Sequence, residues 1–522
     1  MSTTTPPPPS EQPTVARSST GVIFAVLAAG SGAFATLQSL ITPVLPTIQA
    51  ELDTSQSTVT WVMTANLLAA SVFTPIVGRV GDTIGKKRAL VAVLVALAAG
   101  SLLAAVAPNI GVLIAARALQ GAAGAVFPLA YGIIRDEFPR EQVASAVGAI
   151  SAIIAAGGGL GIVAAGPIVD TLGYAWLFWI PMLISIAAAV AAYRLVPESP
   201  VRNPGRINWL AAGLLSAWLV GLLLAVSQAS DWGWTSTGVL GLLLGSLGTA
   251  AAWAIAELRS TSPLIDMRML RLPAVWTTNL VALLFGAGQF AMFAFLPQLL
   301  QTPTTAGYGF GATVTQAGFL VLPMLITMFV AGLASGPLGR LLPSKAQLVA
   351  GSSLSTLAFA ALTFAHGEQW QVVAAGGVFG IGLGLALSSM SNLIVSSVPS
   401  SQTGAASGMN ANFRTIGGAV GTAVMGSVVT ADLQPSGLPD ESGYTGGFAL
   451  LAVLSVAAVA AALLVPRHRD PDPETTDPAT EPVPAGPMPT LAPNTPAAAR
   501  PGSPRAREKP STVPGGSGPG AL

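Results

Sequence analysis

The stretch Gly78-Arg79-Val80-Gly81-Asp82-Thr83-Ile84-Gly85-Lys86-Lys87-Arg88 separates two apolar runs, 58–78 and 89–108. Each run has the length, about 20 residues, with which a helix crosses a hydrocarbon core of about 30 Å. The polar stretch between them therefore predicts a short loop at a membrane surface, joining two spanning helices.

The composition of the whole chain agrees with a membrane location. Of the 522 residues, 52% are hydrophobic and 9% are charged, whereas soluble domains carry about 25% charged residues. The mean hydropathy is +0.67. A net charge of +1 gives no basic surface for nucleic acid, and the absence of cysteine excludes disulfides and thiolate metal sites. The chain is predicted to be an integral membrane protein.

Apolar runs of spanning length recur along the chain and predict an all-α membrane fold with fourteen transmembrane helices. The flanking segments, 1–20 and 467–522, are rich in Pro and small residues, so we expect disordered tails. The predicted spans are 21–42, 58–78, 89–108, 110–134, 142–168, 172–197, 207–227, 236–257, 273–301, 312–335, 344–366, 369–395, 402–430 and 444–466.

The positive charges predict the orientation. Apart from Arg117 and Arg414, which fall inside predicted spans, every Lys and Arg lies on one side of the fourteen-span arrangement. The charged residues of the opposite loops are all acidic, for example Glu51 and Asp170. Because positive residues accumulate on the cytoplasmic side, we expect a multi-pass plasma-membrane protein with both termini in the cytoplasm.

The two halves of the sequence resemble each other. Residues 142–161 align with residues 402–421, and the aligned pairs include three pairs of glycines, Gly157/Gly417, Gly158/Gly418 and Gly161/Gly421. Chance similarity of Gly- and Ala-rich sequence is the alternative. A repeat predicts two six-helix bundles, 21–197 and 273–466, with two linker helices inserted at 207–257. Repeated bundles are typical of transporters that bind substrate between them.

The polar stretch resembles the signature loop of the major facilitator superfamily, G-x-x-x-D-x-x-G-[RK]-[RK]-x. The resemblance implies a loop that holds the two halves together in the outward-facing state. A helix cap with a basic cluster that sets topology is the alternative reading. The candidate gating residues are Gly78, Gly81, Asp82, Gly85, Lys86, Lys87 and Arg88.

Two further motifs support the same resemblance. Arg117, Gln120 and Gly121 match the superfamily's R-x-x-Q-G motif, which implies a role in proton coupling. An arginine within a span costs about 2.5–3.5 kcal/mol on insertion scales, so it needs a partner, and backbone carbonyls near a helix end are the alternative to coupling. Residues 408–418 resemble the G-x-N-x-x-R-x-x-G-G element of the fourteen-spanner drug:proton antiporter branch (EmrB/QacA-like).

The resemblance covers residues 21–466, with two departures from the branch pattern. Gln38 stands where the branch has an acidic residue, and Ile162 where it has a proline. The resemblance implies a secondary transporter that exports drug-like or amphiphilic molecules by alternating access with proton antiport. It implies a monomer in the lipid bilayer, with no metal or cofactor beyond the proton gradient.

The polar, aromatic and glycine residues of the spans give the remaining candidates. No Asp or Glu lies in the middle of a span, and the deep charges are cations, which favours a neutral or weakly acidic amphiphile over a quaternary cation. For each cavity candidate, interhelical packing is the alternative role. The cavity candidates are Gln38, Trp61, Asn66, Gln289, Asn410 and Arg414, and the helix-packing candidates are Gly157, Gly158, Gly161, Gly417 and Gly418.

Alternative functions remain open at this point. A uniporter, or an exporter of an endogenous metabolite or lipid, fits the same apolar path. An enzyme is not expected, because neither of the two histidines, His366 and His468, forms part of an evident nucleophile–base pair.

Overall fold

The predicted apolar runs are helices in the computed structural model, which describes residues 19–199, 207–260, 263–436 and 438–466, and these residues contain no β-strand. The tails expected to be disordered lie outside the described residues, apart from Ser19 and Thr20, and Thr20 begins the first helix.

Within the described ranges, fourteen long helices follow one another, and short helices at Leu45–Glu51 and Met267–Leu270 precede two of them. Helix α4 contains a single 3-10 segment, Ala122–Ala125, which the sequence analysis does not predict. The long helices are α1 (Thr20–Leu40), α2 (Gln56–Ile84), α3 (Lys86–Ala105), α4 (Ile110–Glu137), α5 (Arg140–Leu172), α6 (Trp176–Leu195), α7 (Trp209–Trp232), α8 (Thr237–Arg259), α9 (Pro273–Gln301), α10 (Val314–Leu338), α11 (Ser344–Phe364), α12 (Gln369–Ser397), α13 (Thr403–Val429) and α14 (Glu441–Leu464).

Among the described residues, 13 helices are long and apolar enough to cross a membrane. The exception among the long helices is α13, which has 27 residues but carries Asn410, Asn412 and Arg414. This helix packs against α9, α2, α4, α7 and α14. Its polar side chains are therefore sheltered by protein, which is where polar groups of a membrane helix are tolerated.

The helices form two bodies with separate apolar cores. In the first body, α1–α6, the core includes Leu27, Phe34 and Phe178. In the second body, α9–α14, it includes Phe359, Phe379 and Phe448. The bodies meet along two seams, α2 against α13 and α5 against α10, and the inserted helix α7 packs on both α2 and α13.

Close helix packing explains four of the five predicted packing glycines. A Cβ at Gly417 would collide with the Leu283 carbonyl oxygen, and one at Gly161 would lie 2.5 Å from the Thr36 oxygen. Gly157 and Gly418 face the Ala35 Cβ at 2.9 Å and the Phe290 ring at 2.5 Å. At Gly158, by contrast, a Cβ would meet no atom within 4 Å, so the structure gives this residue no packing constraint.

The predicted loop 78–88 is wrong in its extent. Helix α2 continues through Ile84, and only Gly85 leaves the helical conformation, with a φ of 116° that favours glycine. The reason is that the polar face of this last part of α2 contacts the second body rather than solvent, as described below. Other ends differ by a few residues; α5, for example, begins at Arg140 and ends at Leu172 instead of spanning 142–168.

We predict that Gly417→Ala destabilises the protein by about 1–3 kcal/mol, because the added methyl group overpacks the α9–α13 contact. The matched variant Gly158→Ala has space for its methyl group. It should be neutral or stabilising by about 0.5–1 kcal/mol, because alanine favours a helix over glycine. Thermal unfolding of the detergent-purified variants measures both changes, and equal Tm values for the two would contradict the packing assignment.

Candidate functional site: gate and central cavity

The two ends of the helical bundle differ in charge. The end at which α2 joins α3 and α10 joins α11 carries Lys86, Lys87, Arg88, Arg340 and Lys345, and we call it the basic end. The end at which α1 joins α2 and α11 joins α12 carries Glu51, Asp53, Asp170, Glu368 and Glu441, and we call it the acidic end.

At the basic end, the first body contacts the start of α13, residues 400–405. The Ala405 N–H donates to Asp82 Oδ2 at 3.3 Å. Lys86 Nζ donates to the Ser400 carbonyl at 3.4 Å, and Arg135 Nη1 donates to Thr403 Oγ1 at 2.8 Å. We call these three contacts the clasp. Since a helix N-terminus carries unpaired N–H groups and a partial positive charge, the Asp82 carboxylate stabilises the start of α13.

Backbone contact brings the clasp together. Gly78 and Gly404 face each other, so that a Cβ on either residue would lie 2.7 Å from the carbonyl oxygen of the other. No larger side chain fits there without moving α2 away from α13. The glycine at position 78 thus sets the distance at which Asp82, one turn further along α2, reaches the start of α13.

A buried ion pair supports the clasp within the first body. Lys86 Nζ lies 2.6 Å from Asp136 Oδ2, and each side chain is 1% exposed. Ser199 also donates to the Asp136 carboxylate. Because an unpaired charge is costly in a low-dielectric interior, Asp136 holds the Lys86 ammonium at the position from which it reaches Ser400.

In the part of the chain that the structure describes, the other predicted gating residues have their partners within the first body. Lys87 Nζ lies 5.7 Å from the centroid of the Tyr193 ring, and Arg88 Nε lies 3.4 Å from Glu198 Oε2 with a side chain that is 68% exposed. Gly81 packs against Leu129 of α4. Of the predicted gating residues, Gly78, Asp82 and Lys86 therefore contact the start of α13, and Gly85 terminates α2.

Arg117 is fully buried inside the first body. Its Nε donates to the Val62 carbonyl at 3.2 Å and its Nη1 to Gln120 Oε1 at 2.8 Å, and Gln120 Nε2 donates to Ser101 Oγ at 3.0 Å. This chain of hydrogen bonds links α2, α4 and α3. Gly121 lets α4 approach α2, since a Cβ there would lie 2.7 Å from the Asn66 oxygen.

A cavity of about 30 Å³ lies between the two bodies. It holds about two water molecules, whereas pockets for drug-sized ligands measure about 300–1,000 Å³. Both bodies must therefore move before an amphiphile fits. The polar and aromatic lining residues are Phe127, Tyr131, Ser151, Ser391, Ser407, Asn410 and Arg414.

Three hydroxyl groups join the bodies at the cavity wall. Tyr131 Oη and Ser151 Oγ of the first body are 2.9 Å apart, and Ser391 Oγ of the second body lies 3.1 Å from Ser151 Oγ and 3.3 Å from Tyr131 Oη. Nearby, Asn412 Nδ2 donates to the Ser71 carbonyl at 2.7 Å. These hydrogen bonds between the two bodies lie between mid-membrane and the basic end.

Two of the six predicted cavity residues, Asn410 and Arg414, line this cavity. The other four do not. Asn66 donates to the Arg117 carbonyl at 3.1 Å, Gln289 is buried on α9, and Gln38 and Trp61 are half-buried on α1 and α2. Substrate contact at these positions stays a prediction.

The sequence analysis missed several residues of the gate and cavity. Arg135, Ser400 and Thr403 form part of the clasp, but each is an ordinary polar residue near a helix end and carries no signal of its own. Ser407 had a usable signal, because it lies three and seven residues before Asn410 and Arg414 and so shares their helix face.

Two six-helix bodies, a clasp at one end and a cavity between them are the architecture of a membrane transporter. A family model described as Major Facilitator Superfamily matches residues 27–422 and 280–502. The chain belongs to this superfamily of transporters, as its motifs predicted. It is therefore a transporter rather than an enzyme, and its long apolar helices are those of a membrane protein.

Individual relatives agree with the family. The chain is 28% identical to the multidrug transporter protein MdtP of Bacillus subtilis, over 75% of this chain and 72% of that one. It is 30% identical to the cephamycin export protein CmcT of Amycolatopsis lactamdurans, over 80% of this chain and 87% of that one. It spans only 58% of the length of an MFS-type transporter of Mycobacterium tuberculosis, to which it is 28% identical.

A solved structure has the same fold. The crystal structure of the human organic anion transporter MFSD10 (TETRAN) matches with a TM-score of 0.62, covering 85% of this chain and 99% of that one. The sequence identity is 16%, so the likeness concerns the fold alone.

We predict that Lys86→Met destabilises the protein by about 3–5 kcal/mol, because Asp136 then remains buried without its counter-charge. The matched variant Arg88→Met removes an exposed ion pair and should cost at most about 1 kcal/mol. Thermal unfolding distinguishes them, and adding Asp136→Asn to Lys86→Met should recover part of the loss. Similar Tm values for the two single variants would show that the buried pair is not needed.

Proposed function

We propose that this chain exports drug-like or amphiphilic small molecules across the plasma membrane by alternating access, in exchange for protons. The observation that carries the proposal is the small cavity between two bodies that are hydrogen-bonded to each other at the cavity wall and at the basic end. We further propose that the protein works as a monomer within the fourteen-spanner drug:proton antiporter branch.

The charge distribution supports an orientation in the membrane. Because positive residues accumulate on the cytoplasmic side, the basic end is cytoplasmic in this proposal, as are both termini. The clasp then closes the cytoplasmic side, so it must open before a substrate enters from the cytoplasm. The acidic end, where α5 packs against α10, is the side of release.

Relatives support export as the activity. MdtP is named a multidrug transporter and CmcT a cephamycin export protein. An interface lined by Phe127, Tyr131 and a few polar groups suits varied amphiphiles, because aromatic rings and apolar side chains bind without strict geometry.

Proton coupling requires a group that binds a proton, and arginine does not deprotonate in proteins. This excludes Arg117 and Arg414 as carriers. Asp82 is 1% exposed and accepts a hydrogen bond at the clasp. Protonation of Asp82 would remove its charge from the positive end of α13 and weaken the clasp, which is the simplest link between proton binding and movement.

A disulfide across the cavity tests alternating access. The chain has no cysteine, and Ser151 Oγ and Ser391 Oγ are 3.1 Å apart, so Ser151→Cys with Ser391→Cys places two thiols within bonding reach. We expect oxidation to reduce transport to less than about a tenth, because the bodies can no longer separate, and reductant to restore it. Each single variant is the control, and undiminished transport by the oxidised double variant would contradict the proposal.

Everted vesicles test export and coupling. Three pyrene amphiphiles that differ only in the end group (sulfonate, alcohol or trimethylammonium) serve as probes. We expect at least one probe to accumulate in vesicles with an acidic interior and this accumulation to collapse with a proton ionophore, and the oxidised double variant measures passive entry. Probe entry that does not depend on the pH gradient would indicate uniport instead of proton antiport. No accumulation of any probe would overturn the export proposal.

A further inference from the structure

One face of α13 presents polar groups to the cavity. Ser407, Asn410 and Arg414 line it, and their spacing of three and four residues places them on the same side of the helix. Asn410 is already oriented, because its Nδ2 donates to Asn279 Oδ1 at 2.9 Å. Ser407 and Arg414 lie on either side of it.

Ser407 and Arg414 have no partner within the part of the chain that the structure describes. The Ser407 side chain is 7% exposed and its Oγ makes no hydrogen bond. The Arg414 guanidinium lines the cavity and forms neither a hydrogen bond nor an ion pair with the described residues. The Tyr131 hydroxyl is its electrostatic neighbour. Two hydrogen-bond donors therefore face the same small space unpaired.

No described carboxylate forms an ion pair with Arg414. None lines the cavity. The buried carboxylates of the described spans are used at the basic end, Asp82 by the Ala405 N–H and Asp136 by Lys86. Glu257 of α8 accepts from the backbone N–H groups of Leu264 and Ile265. A desolvated guanidinium without a counter-charge is unfavourable, so this position favours an anion.

Arg117 shows what a structural arginine looks like in the same protein. It also has no carboxylate partner, but it donates to the Val62 carbonyl and to Gln120, and it lies outside the cavity. Arg414 differs on both points. The comparison separates an arginine that joins helices from one that is available to a ligand.

We propose that Arg414 and Ser407 bind the anionic group of an amphiphilic substrate, such as a carboxylate, phenolate, sulfonate or phosphate. A guanidinium binds such groups with two parallel N–H donors, and the Ser407 hydroxyl adds a third donor. Phe127, Tyr131 and Met390 line the same space and contact the apolar part of the substrate. This assignment of the substrate class rests on the proposed export function.

Binding of the three pyrene probes to the native protein in phosphatidylcholine nanodiscs tests the assignment, with empty nanodiscs subtracted. We expect the sulfonate to bind at least about tenfold more tightly than the alcohol and the trimethylammonium probe. This selectivity needs no variant, so it stands even if a substitution impairs folding. Equal binding of the three probes, or preference for the cation, would overturn the proposal.

Variants locate the selectivity. Arg414→Gln should lower the affinity for the sulfonate at least about tenfold and leave that for the alcohol unchanged, and Ser407→Ala should lower it by a few-fold. Arg414→Lys should keep part of the preference, because it keeps the charge. The control is Arg271→Gln, an exposed arginine at the basic end. Unchanged sulfonate affinity in a folded Arg414→Gln variant would overturn the assignment.

Two further results separate the possible failures. If vesicles export the alcohol or the cation, but the affinity for the sulfonate does not depend on Arg414, the export proposal stands and the anion-site proposal is overturned. If the sulfonate binds through Arg414 but no probe is exported, the site stands and export falls. Competition by phosphatidylglycerol in the nanodiscs would assign the site to a lipid headgroup, and lack of competition to a free amphiphile; both results retain the anion site.

Discussion

The start of α13 is the point on which the closed arrangement of the two bodies depends. Backbone N–H groups at a helix N-terminus need acceptors, and water is scarce at this depth of the protein. Asp82 of the first body supplies one acceptor, while Lys86 and Arg135 bind groups beside it. The carboxylate reaches α13 only because Gly78 and Gly404 bring the two backbones into contact. The second body's need for hydrogen-bond partners at the start of α13 is thus met by side chains of the first body, and these non-covalent contacts hold the two bodies together.

Much of the fold could be predicted from the sequence, because the bilayer imposes a simple rule on length and polarity. Apolar runs of about 20 residues became helices at the expected places, and span 273–301 agrees to the residue with α9. The continuation of α2 through Ile84 could not be predicted, since polar residues 79–84 look like a loop until the second body covers them. The 3-10 segment Ala122–Ala125 lies just before Pro128, which lacks the N–H of a regular helix, so the sequence contains a signal for a local irregularity but not for its exact form.

The site was predicted less completely than the fold, for a physical reason. Helical spacing shows which residues of one helix share a face, and it correctly grouped Asn410 with Arg414. It does not show which neighbour that face meets, so Asn66 and Gln289, equally polar and equally central in sequence, lie elsewhere. Residues that act across the interface, such as Arg135 with Thr403, belong to distant segments whose proximity appears only in three dimensions.

Helix α13 carries the clasp at its first residues and the cavity-lining face one to three turns later, and its backbone is wedged against α9 at Gly417 and Gly421. A helix held this firmly moves as a rigid unit, so a displacement at the clasp is transmitted to the cavity-lining face. Thermodynamic reciprocity then requires that the free energy by which a bound substrate weakens or strengthens the clasp equals the free energy by which the clasp changes the affinity for the substrate. The strength of coupling between the two sites would in that case be governed by the stiffness of a single helix as much as by the chemistry of the residues it displays.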